Sequence, residues 1–409
     1  MVASPVRRPI GVLGIGTVSV FGHSHEQFRQ ALLDGRSGVA RLSSFDLGEC
    51  RSTLAAPLVG FDPTQWLSPM KLRRLDRTGV YALVAAILAL EDAGVSLPVS
   101  GDDSVGVVLG SSTAGGQSTQ LFLDGLFRKG VAGAPALLFD STVGNSAASV
   151  TAIEFHLRGP NITMSHKEAS GLSAIVTAVD LLREGRASAV CAGGTEAIYE
   201  TVFKAYDRFH VMSPEATFSR RVAPFDTDRA GFVMGEGGFV LWLGLTDEAV
   251  RARHGEILGV AASSARVPLN AWPNDPQPLA RTMRQALDDG GVSPADIAVV
   301  YASANATGVL DAAEATAITR VFDGARPLVT SVKGALGESG AAGSAACVAA
   351  LLCGATGEVP PVAGLTEPLA EARSLRVARQ RTSADGPLAL VNSFASGGAL
   401  FSVVLRVAS

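Results

Sequence analysis

Short apolar runs alternate along the chain with longer Ala-rich runs, and this alternation predicts strands and helices in turn. The segments IGVLGIGTVSV at 10–20 and SVGVVLGSST at 104–113 are rich in aliphatic residues and predict buried strands. Between them, GVYALVAAILALEDAG at 79–94 is apolar on most faces and predicts a helix that ends at Gly94. The repeated alternation predicts a layered α/β fold.

A weak internal repeat relates the two halves of the chain. In the first half, ITMSHKEAS at 162–170 is a strand and polar turn that leads into an apolar helix at 171–182. In the second half, PLVTSVKGALGESGAAG at 327–343 leads in the same way into an apolar helix at 344–355. Both helices are apolar nearly all round, so we expect them to lie between sheets. The pattern predicts two copies of one βαβ-rich unit, divided near residue 255.

Composition and charge exclude several classes of protein. With 47% hydrophobic and 18% charged residues in 409, the chain is predicted to form a compact globular core. The formal charge is 34 − 38 = −4, so neither nucleic acid nor an anionic membrane is indicated as a partner. The cysteines lack metal-site or disulfide spacing, and no uncharged stretch reaches transmembrane length: Cys50, Cys191, Cys347, Cys353. We expect a cytoplasmic protein with no metal and no cofactor.

Five motifs carry a resemblance to a known family. They are GPNITMSHKEASGLSAI, REGRASAVCAGGTEA, APFDTDRAGFVMGEGG, SVKGALGESGAAG and NSFASGG, in that order. Their order and spacing resemble the β-ketoacyl synthases of fatty acid and polyketide assembly across essentially the whole chain. The resemblance implies a thiolase-type fold, a five-layer αβαβα arrangement of two internal repeats. It also implies a division into residues 1–255, a ketosynthase-like half with the nucleophile position and the dimer interface, and residues 256–409, a second ketosynthase-like half.

The resemblance places the three family catalytic positions on residues that cannot do the family's chemistry. The cysteine position falls at Glu168, and the two histidine positions fall at Asn305 and Glu338. Decarboxylative condensation needs a thiolate and paired donors to the enolate oxygen. No histidine follows His254 in the sequence. We therefore expect no catalytic residues here, and Lys167 and Lys333 are the expected neighbours of the two carboxylates.

Loss of the catalytic residues is typical of the chain length factors, the ketosynthase β subunits of bacterial type II polyketide synthases. The resemblance implies a heterodimer with an active ketosynthase α subunit, with an acyl carrier protein engaged mainly through that partner. It also implies an elongation tunnel whose length sets the product. Many chain length factors of aromatic systems carry Gln at the cysteine position, so Glu168 departs from that pattern. The ASGL that follows Glu168 favours a reducing, polyene-type system.

The same resemblance assigns further roles by position. Candidate residues for the tunnel follow the Gly-Gly at 115–116 or lie shortly after it: Gln117, Gln120, Leu121, Asp124, Leu138, Phe139. Vestigial pantetheine or gate positions are Thr307, Val309 and Ser396. A basic run at 71–77 suggests carrier-protein contact through Lys71, Arg73 and Arg74.

A purely structural or solvent-exposed role stays open for each of these residues. The helix after 115–116 can be a solvated polar face, Leu138 and Phe139 can be core packing, and the basic run can be a solvated surface. Glu168 can be a helix-capping carboxylate that fills a vacated pocket. For the whole chain, the alternatives are a self-sufficient condensing enzyme, a hydrolase using Glu168 and Glu338, and a purely structural stabiliser. Acylation of the isolated chain and product-length analysis separate these functions.

Overall fold

The computed structural model describes residues 9–214, 222–246 and 252–408. The helices of the described residues are α1 His25–Leu33, α2 Pro69–Leu72, α3 Arg77–Ala93, α4 Gly116–Lys129, α5 Ser146–Glu154, α6 Ser170–Arg183, α7 Glu200–Arg208, α8 Pro276–Gly290, α9 Gly308–Val321, α10 Lys333–Leu336 and α11 Ala342–Gly354. The strands are β1 Ile10–Val18, β2 Ala40–Arg41, β3 Leu54–Ala56, β4 Val105–Gly110, β5 Asn161–Met164, β6 Ala189–Glu196, β7 Met234–Gly235, β8 Gly237–Leu245, β9 Gly255–Ser264, β10 Val299–Tyr301, β11 Leu328–Thr330, β12 Glu358–Val359, β13 Arg376–Val377, β14 Thr382–Ser383, β15 Leu388–Phe394 and β16 Ala399–Val407.

The main sheet contains the same five-strand unit twice. Its strand order is β13-β11-β10-β15-β16-β9-β1-β8-β6-β4-β5. In the first unit, β4 pairs in parallel with β5 and β6, and β8 pairs antiparallel with β6 and β1. In the second, β10 pairs in parallel with β11 and β15, and β16 pairs antiparallel with β15 and β9. The two units meet where Ile10–Val12 of β1 pairs with β9. The predicted internal repeat is confirmed, whereas the exact domain boundary at residue 255 stays a prediction.

Helices α6 and α11 form the central layer of the molecule. Every residue of α11 from Ala342 to Cys353 is buried, and α11 packs on α6, β15 and β16. Helix α6 packs on β4 and β6 on one side and on β9 and β16 on the other. Helices α3 and α5 cover the outside of the first unit, while α8 packs on β9 and β16 of the second and α9 packs on α8. This is the five-layer αβαβα, thiolase-type arrangement that the resemblance implied.

Small residues allow these layers to approach closely. Helix α3 begins at the Asp76 cap, which accepts a hydrogen bond from the Thr78 amide, and ends at Gly94 with φ of 63°. Its end at Gly94 confirms the prediction, because glycine tolerates this left-handed conformation. A Cβ on Gly16 of β1 would lie 1.8 Å from the Ala85 carbonyl oxygen of α3. The Ala- and Gly-rich composition therefore reflects close helix–sheet packing.

None of the helices in the described residues is both long enough and apolar enough to cross a membrane.

Candidate functional site

The turn that carries Glu168 connects β5 to α6. A 3-10 turn spans Lys167–Ala169, and Lys167 has a left-handed φ of 49°. The Ser170 hydroxyl fixes the turn, since it accepts from the His166 amide at 2.9 Å and donates to the Lys167 carbonyl at 2.6 Å. Behind the turn, a Cβ on Gly110 would lie 2.0 Å from the Ser170 carbonyl oxygen, so a glycine is required there. The result is a rigid mount that holds Glu168, only 5% exposed, at the mouth of α6.

Glu168 is held mainly by Ser396, and the Tyr206 side chain also forms a hydrogen bond with it. Its carboxylate accepts hydrogen bonds from the Ser396 amide at 3.0 Å and from the Ser396 hydroxyl at 3.1 Å. Lys167 takes no direct part, because its ammonium group donates to the Leu269 carbonyl at 2.6 Å, to Asn270 at 3.1 Å and to the Ser396 hydroxyl at 3.3 Å. The expectation that Lys167 neighbours Glu168 is met only through Ser396. Ser396, which the resemblance assigned to a gate position, donates these hydrogen bonds to Glu168; the gate role stays a prediction.

Glu338 is held by a complete set of partners. Its carboxylate accepts from the Lys333 ammonium at 2.8 Å, from the Asn305 side-chain amide at 2.7 Å and from the Ser339 backbone amide at 3.1 Å. Lys333 also donates to the Ser303 carbonyl at 2.8 Å. The side chains of Lys333 and Glu338 are 4% and 1% exposed. The expected Lys333–Glu338 neighbours therefore form a buried ion pair with good hydrogen-bonding geometry.

Asn305 links this pair to Thr307, the predicted pantetheine position. Its side-chain oxygen accepts from the Thr307 hydroxyl at 2.7 Å and from the Thr307 amide at 3.2 Å. The backbone amide of Asn305 donates a hydrogen bond to the Asp311 carboxylate at 2.9 Å. The Thr307 hydroxyl is thus used inside the protein, and Val309, 48% exposed, offers no polar group at the other position. A pantetheine arm would meet few free donors at these two residues.

Burial changes the protonation of both carboxyl groups. Burial, reinforced by the negative charge of Glu338, raises the pKa of Glu168 to about 7, against the opposing hydrogen bonds from Ser396. Burial also raises the pKa of Glu338, and the Lys333 ammonium opposes that rise. Loss of solvent disfavours the charged form of an acid, and a nearby cation restores it. Glu338 is therefore stabilised as a carboxylate by its own cation, while Glu168 titrates near neutral pH.

Burial raises the thiol pKa of each of the four cysteines. Cys191, Cys347 and Cys353 are buried, and burial raises the pKa of Cys191 and of Cys353 to about 12. Cys50 is half-buried, and burial raises its thiol pKa as well. His166 is close in sequence to Glu168, but its ring contacts Ser173 at 3.1 Å and Phe401 at 5.3 Å. Among the described residues, no group of His, Cys, Asp and Glu side chains could hold a metal ion.

A cavity of about 350 Å³ opens beside Glu168. Lys167, Glu168 and Ser396 form its polar part, and aromatic side chains line the rest: Tyr206, Phe209, Phe232, Trp272. These aromatic residues were not predicted from the sequence. They come from α7 and from two loops distant in the chain, and no short motif joins them. Only one wall of the cavity has a local pattern in the sequence. It consists of residues at helical spacing on α7: Thr201, Val202, Ala205, Tyr206.

The candidate tunnel residues lie on α4 and on the segment after it. Ser118 is the only buried residue of α4, so this helix stands outside the core. Gln117 and Gln120 are half-buried, Leu121 is 50% exposed, and Asp124 is exposed and paired with Arg128. Phe139 is 58% exposed and packs on Phe122 with ring centroids 5.6 Å apart, and Leu138 is half-buried. Their role in a tunnel stays a prediction.

The candidate carrier-protein contacts lie beside this surface. Lys71 is on α2 and pairs with Glu154, while Arg73 and Arg74 are exposed. The Arg74 carbonyl accepts from the Ser141 hydroxyl at 2.6 Å, which ties the basic run to the segment after α4. Whether the three residues meet a carrier protein stays a prediction.

Comparison with known proteins shows the family. Residues 7–248 match the β-ketoacyl synthase N-terminal domain, and residues 254–366 match the β-ketoacyl synthase C-terminal domain. The granaticin polyketide putative beta-ketoacyl synthase 2 of Streptomyces violaceoruber is 32% identical over 377 residues, covering 91% of this chain and 90% of the relative. The 3-oxoacyl-[acyl-carrier-protein] synthase 2 of Vibrio cholerae is 30% identical over 415 residues, covering 98% and 99%.

A solved structure described as the ishigamide ketosynthase/chain length factor is similar to the whole chain. The TM-score is 0.91 at 27% identity, with 98% of this chain and 100% of that chain covered. The similarity therefore extends over nearly the whole length of both chains. With its fold, its motifs and both domain matches in agreement, the chain belongs to the β-ketoacyl synthase family.

Proposed function

We propose that this chain is a non-catalytic chain length factor that pairs with an active ketosynthase α subunit and shapes the tunnel in which a polyketide grows. The observation that carries the proposal is the state of the three family catalytic positions. Glu168, Asn305 and Glu338 form hydrogen-bonded clusters that contain neither a thiolate nor an imidazole. Condensation requires a nucleophile that accepts the acyl chain and donors for the enolate oxygen. The chemistry then belongs to the partner.

A large apolar surface supports the pairing. Along α4 and the residues that follow it, several large apolar side chains are exposed: Leu121 50%, Leu123 38%, Phe127 80%, Val131 85%, Leu137 52%, Phe139 58%. Concentrations of exposed large apolar side chains are typical of interaction sites. The α4 face, defined as these six side chains, therefore supports a partner subunit docked there. The same face contains Leu121 and Phe139, so a tunnel across the interface would pass the candidate length-setting residues.

The names of one relative and of one similar structure also support a role in polyketide assembly. One is named a polyketide putative beta-ketoacyl synthase 2, and one similar structure is described as a ketosynthase/chain length factor. The ASGL after Glu168 favours a reducing, polyene-type system over an aromatic one. In this proposal residues 1–255 supply the interface and residues 256–409 complete the fold. The acyl carrier protein docks mainly on the α subunit.

An acid/base hydrolase built on Glu168 and Glu338 is the weaker alternative. Such an enzyme needs two carboxyl groups that are free to exchange protons with substrate and water. Both oxygens of Glu338 already accept hydrogen bonds, from Lys333 and Asn305 on one and from Ser339 on the other. This pairing argues against Glu338 as a general acid.

The test is reconstitution with a ketosynthase that retains its cysteine and two histidines. We expect a stable heterodimer in size-exclusion chromatography, and products only when both chains are present. Glu168→Ala in this chain should leave product output within about threefold of wild type, because the carboxylate takes no part in the chemistry. Cysteine-to-alanine substitution at the active site of the α subunit is the matched control and should abolish the product.

Two results would oppose the proposal. One is a well-folded monomer that does not associate with its co-expressed partner. The other is loss of condensation in Glu168→Ala while the heterodimer stays intact.

A further inference from the structure

The cavity beside Glu168 has walls suited to a cation. The Tyr206 ring packs edge-on against Phe209, with centroids 6.4 Å apart, and against Phe232, with centroids 5.7 Å apart. Trp272, 9% exposed, also lines the cavity, and Phe209, 57% exposed, lies at its mouth. Aromatic rings attract cations that lie within about 6 Å of the ring face.

A buried carboxyl group without a cation of its own lies in this cavity. Glu168 is 5% exposed and receives hydrogen bonds from the amide and hydroxyl of Ser396. Within the described residues, no ion pair includes Glu168, whereas Glu338 pairs with Lys333. A buried carboxylate is costly unless it is paired. Glu168 is thus a charge site that lacks a counterion, and the cavity gives a ligand access to it.

We propose that this cavity binds an organic ammonium ion with a small apolar body, the ammonium group paired with the Glu168 carboxylate and enclosed by the aromatic rings. The volume of about 350 Å³ is at the low end for small-molecule sites, so it suits a body of about one aromatic ring. A neutral ligand would leave the buried carboxylate unpaired, and an anion would add a third negative charge beside Glu168 and Glu338. This site does not depend on the proposed partner-subunit function.

The charged and titratable groups around Glu168 set the sign of the electrostatic effects. Lys167 is at the rim, Tyr206 is in the aromatic wall, and Glu338 with its partner Lys333 lies behind the carboxyl group. The Lys167 ammonium donates to Leu269, Asn270 and Ser396, so it is not the counterion of Glu168. It still repels a second cation. Removing the Lys167 charge should therefore strengthen binding, and removing the Glu168 charge should weaken it.

Proton competition gives the site a pH dependence. Burial and the charge of Glu338 raise the pKa of Glu168 to about 7, so below that pH the carboxyl group is neutral and cannot pair with an ammonium ion. From about pH 8 to about pH 6, the ionised fraction of Glu168 falls about tenfold. Affinity for an amine that stays protonated over this range should fall by about the same factor.

The first experiment titrates the purified full chain with 2-phenylethylamine by calorimetry at about pH 8 and about pH 6. The matched ligands are 2-phenylethanol, which keeps the ring but is neutral, and phenylacetate, which inverts the charge. We expect the amine to bind at least about tenfold more tightly than either matched ligand at the higher pH, and to weaken at the lower. No detectable amine binding, equal affinity for the alcohol, or no pH dependence would each overturn the proposal.

The second experiment uses two substitutions that remove opposite charges. Glu168→Gln should lower amine affinity at least about tenfold and abolish its pH dependence, and Lys167→Gln should raise affinity about two- to fivefold. Phe209→Ala, at the exposed mouth, should weaken binding about threefold. Val99→Ala, at a 94% exposed surface position outside the cavity, is the control and should leave amine binding unchanged. Thermal unfolding of each variant checks the fold, and unchanged amine binding in a folded Glu168→Gln variant would overturn the proposal.

Discussion

The buried carboxylate clusters and the α4 face differ in how completely their groups are paired. Around Glu338, an ammonium group, a side-chain amide and a backbone amide meet one buried carboxylate. On α4, only Ser118 is buried, and Phe127 is 80% exposed. Buried polar groups are stable when their hydrogen bonds are made inside the protein, whereas exposed apolar side chains are stabilised when another surface covers them. The comparison teaches that the carboxylate clusters and the α4 face are under different physical constraints.

A second difference lies inside the buried region. Glu338 has its own cation, whereas the partners of Glu168 among the described residues, Ser396 and Tyr206, are neutral. The two acids lie at positions that the resemblance assigns to catalytic residues. One belongs to a compensated structural pair, and the other is a titrating group beside a cavity. Because of this asymmetry, we expect substitutions at the two sites to change the unfolding free energy by different amounts.

The largest effect is expected from removing the cation of the compensated pair. Lys333→Met leaves Glu338 buried without its counterion, which typically costs about 3–5 kcal/mol of unfolding free energy. Lys167→Met is the matched control, because this lysine donates to groups at the rim and should lose less than about 1 kcal/mol. Urea denaturation of both variants measures the difference. Equal losses of unfolding free energy in the two variants would contradict the view that only Lys333 compensates a buried charge.

The next effect is the pH dependence contributed by Glu168. Its folded-state pKa of about 7 is above the usual 4.5, so the folded state keeps the proton more tightly. The stability contributed by this proton is fully present below about pH 4.5 and is lost as the pH rises through about 7. Glu168→Gln should therefore gain up to about 3 kcal/mol over wild type between those pH values.

The comparison of variant with wild type isolates Glu168 from other buried acids. Burial raises the pKa of Asp311 to about 6 and of Glu314 to about 7, and both remain in the variant. Denaturation curves at several pH values give the difference in unfolding free energy directly. A difference that does not change with pH would mean that Glu168 does not titrate in this range.

Sequence reasoning was strongest where one segment specifies its own structure. The helix that ends at Gly94, the burial of α6 and α11, and the repeated unit follow from local apolar patterns and were predicted. The Lys333–Glu338 pair was also within reach, because the two residues are five positions apart around a short helix. In each case the determining residues are neighbours in the chain.

Prediction from sequence was weakest where distant segments meet. The cavity wall combines Tyr206, Phe232 and Trp272, whose contacts depend on how two loops pack on α7. The direction of Lys167 was missed for the same reason, since its partners are Leu269 and Asn270, about a hundred residues away. Glu196 belongs to one of the five sequence motifs, but the motif did not predict its hydrogen bonds. It accepts hydrogen bonds from four residues: Ser111, Ser112, Thr113, Gly340. Such networks are fixed by tertiary packing and leave no local pattern.

A smaller effect is expected from the candidate tunnel residues of α4, and it concerns product ratios instead of stability. Gln117→Trp or Asp124→Trp should shorten the product of the reconstituted pair, and Gln120→Ala or Leu121→Ala should lengthen or broaden it. Overfilling a packed tunnel costs about 1–3 kcal/mol, enough to shift product ratios about tenfold. Mass spectrometry of the products measures the chain-length distribution. An unchanged distribution in all four variants, with dimerisation and turnover intact, would move length control elsewhere.

The smallest effect is expected from the ion pair on the surface of α4. Asp124 and Arg128 pair with side chains 54% and 75% exposed, so solvent screens them. Arg128→Ala should change the unfolding free energy by less than about 0.5 kcal/mol. Comparison of the losses in Arg128→Ala and Lys333→Met shows how strongly burial changes the contribution of an ion pair to the unfolding free energy. A loss comparable to that of Lys333→Met would contradict the description of α4 as a solvent-exposed helix.

The central claim is that the acyl chain is carried by the partner and never by this chain. The direct measurement is the intact mass of both subunits after the reconstituted pair is incubated with acyl- and malonyl-loaded carrier protein. The account predicts acyl mass on the ketosynthase α subunit alone, with this chain unchanged in mass whether it is assayed alone or in the pair. Stable acylation of this chain, or condensation by this chain without its partner, would contradict the account.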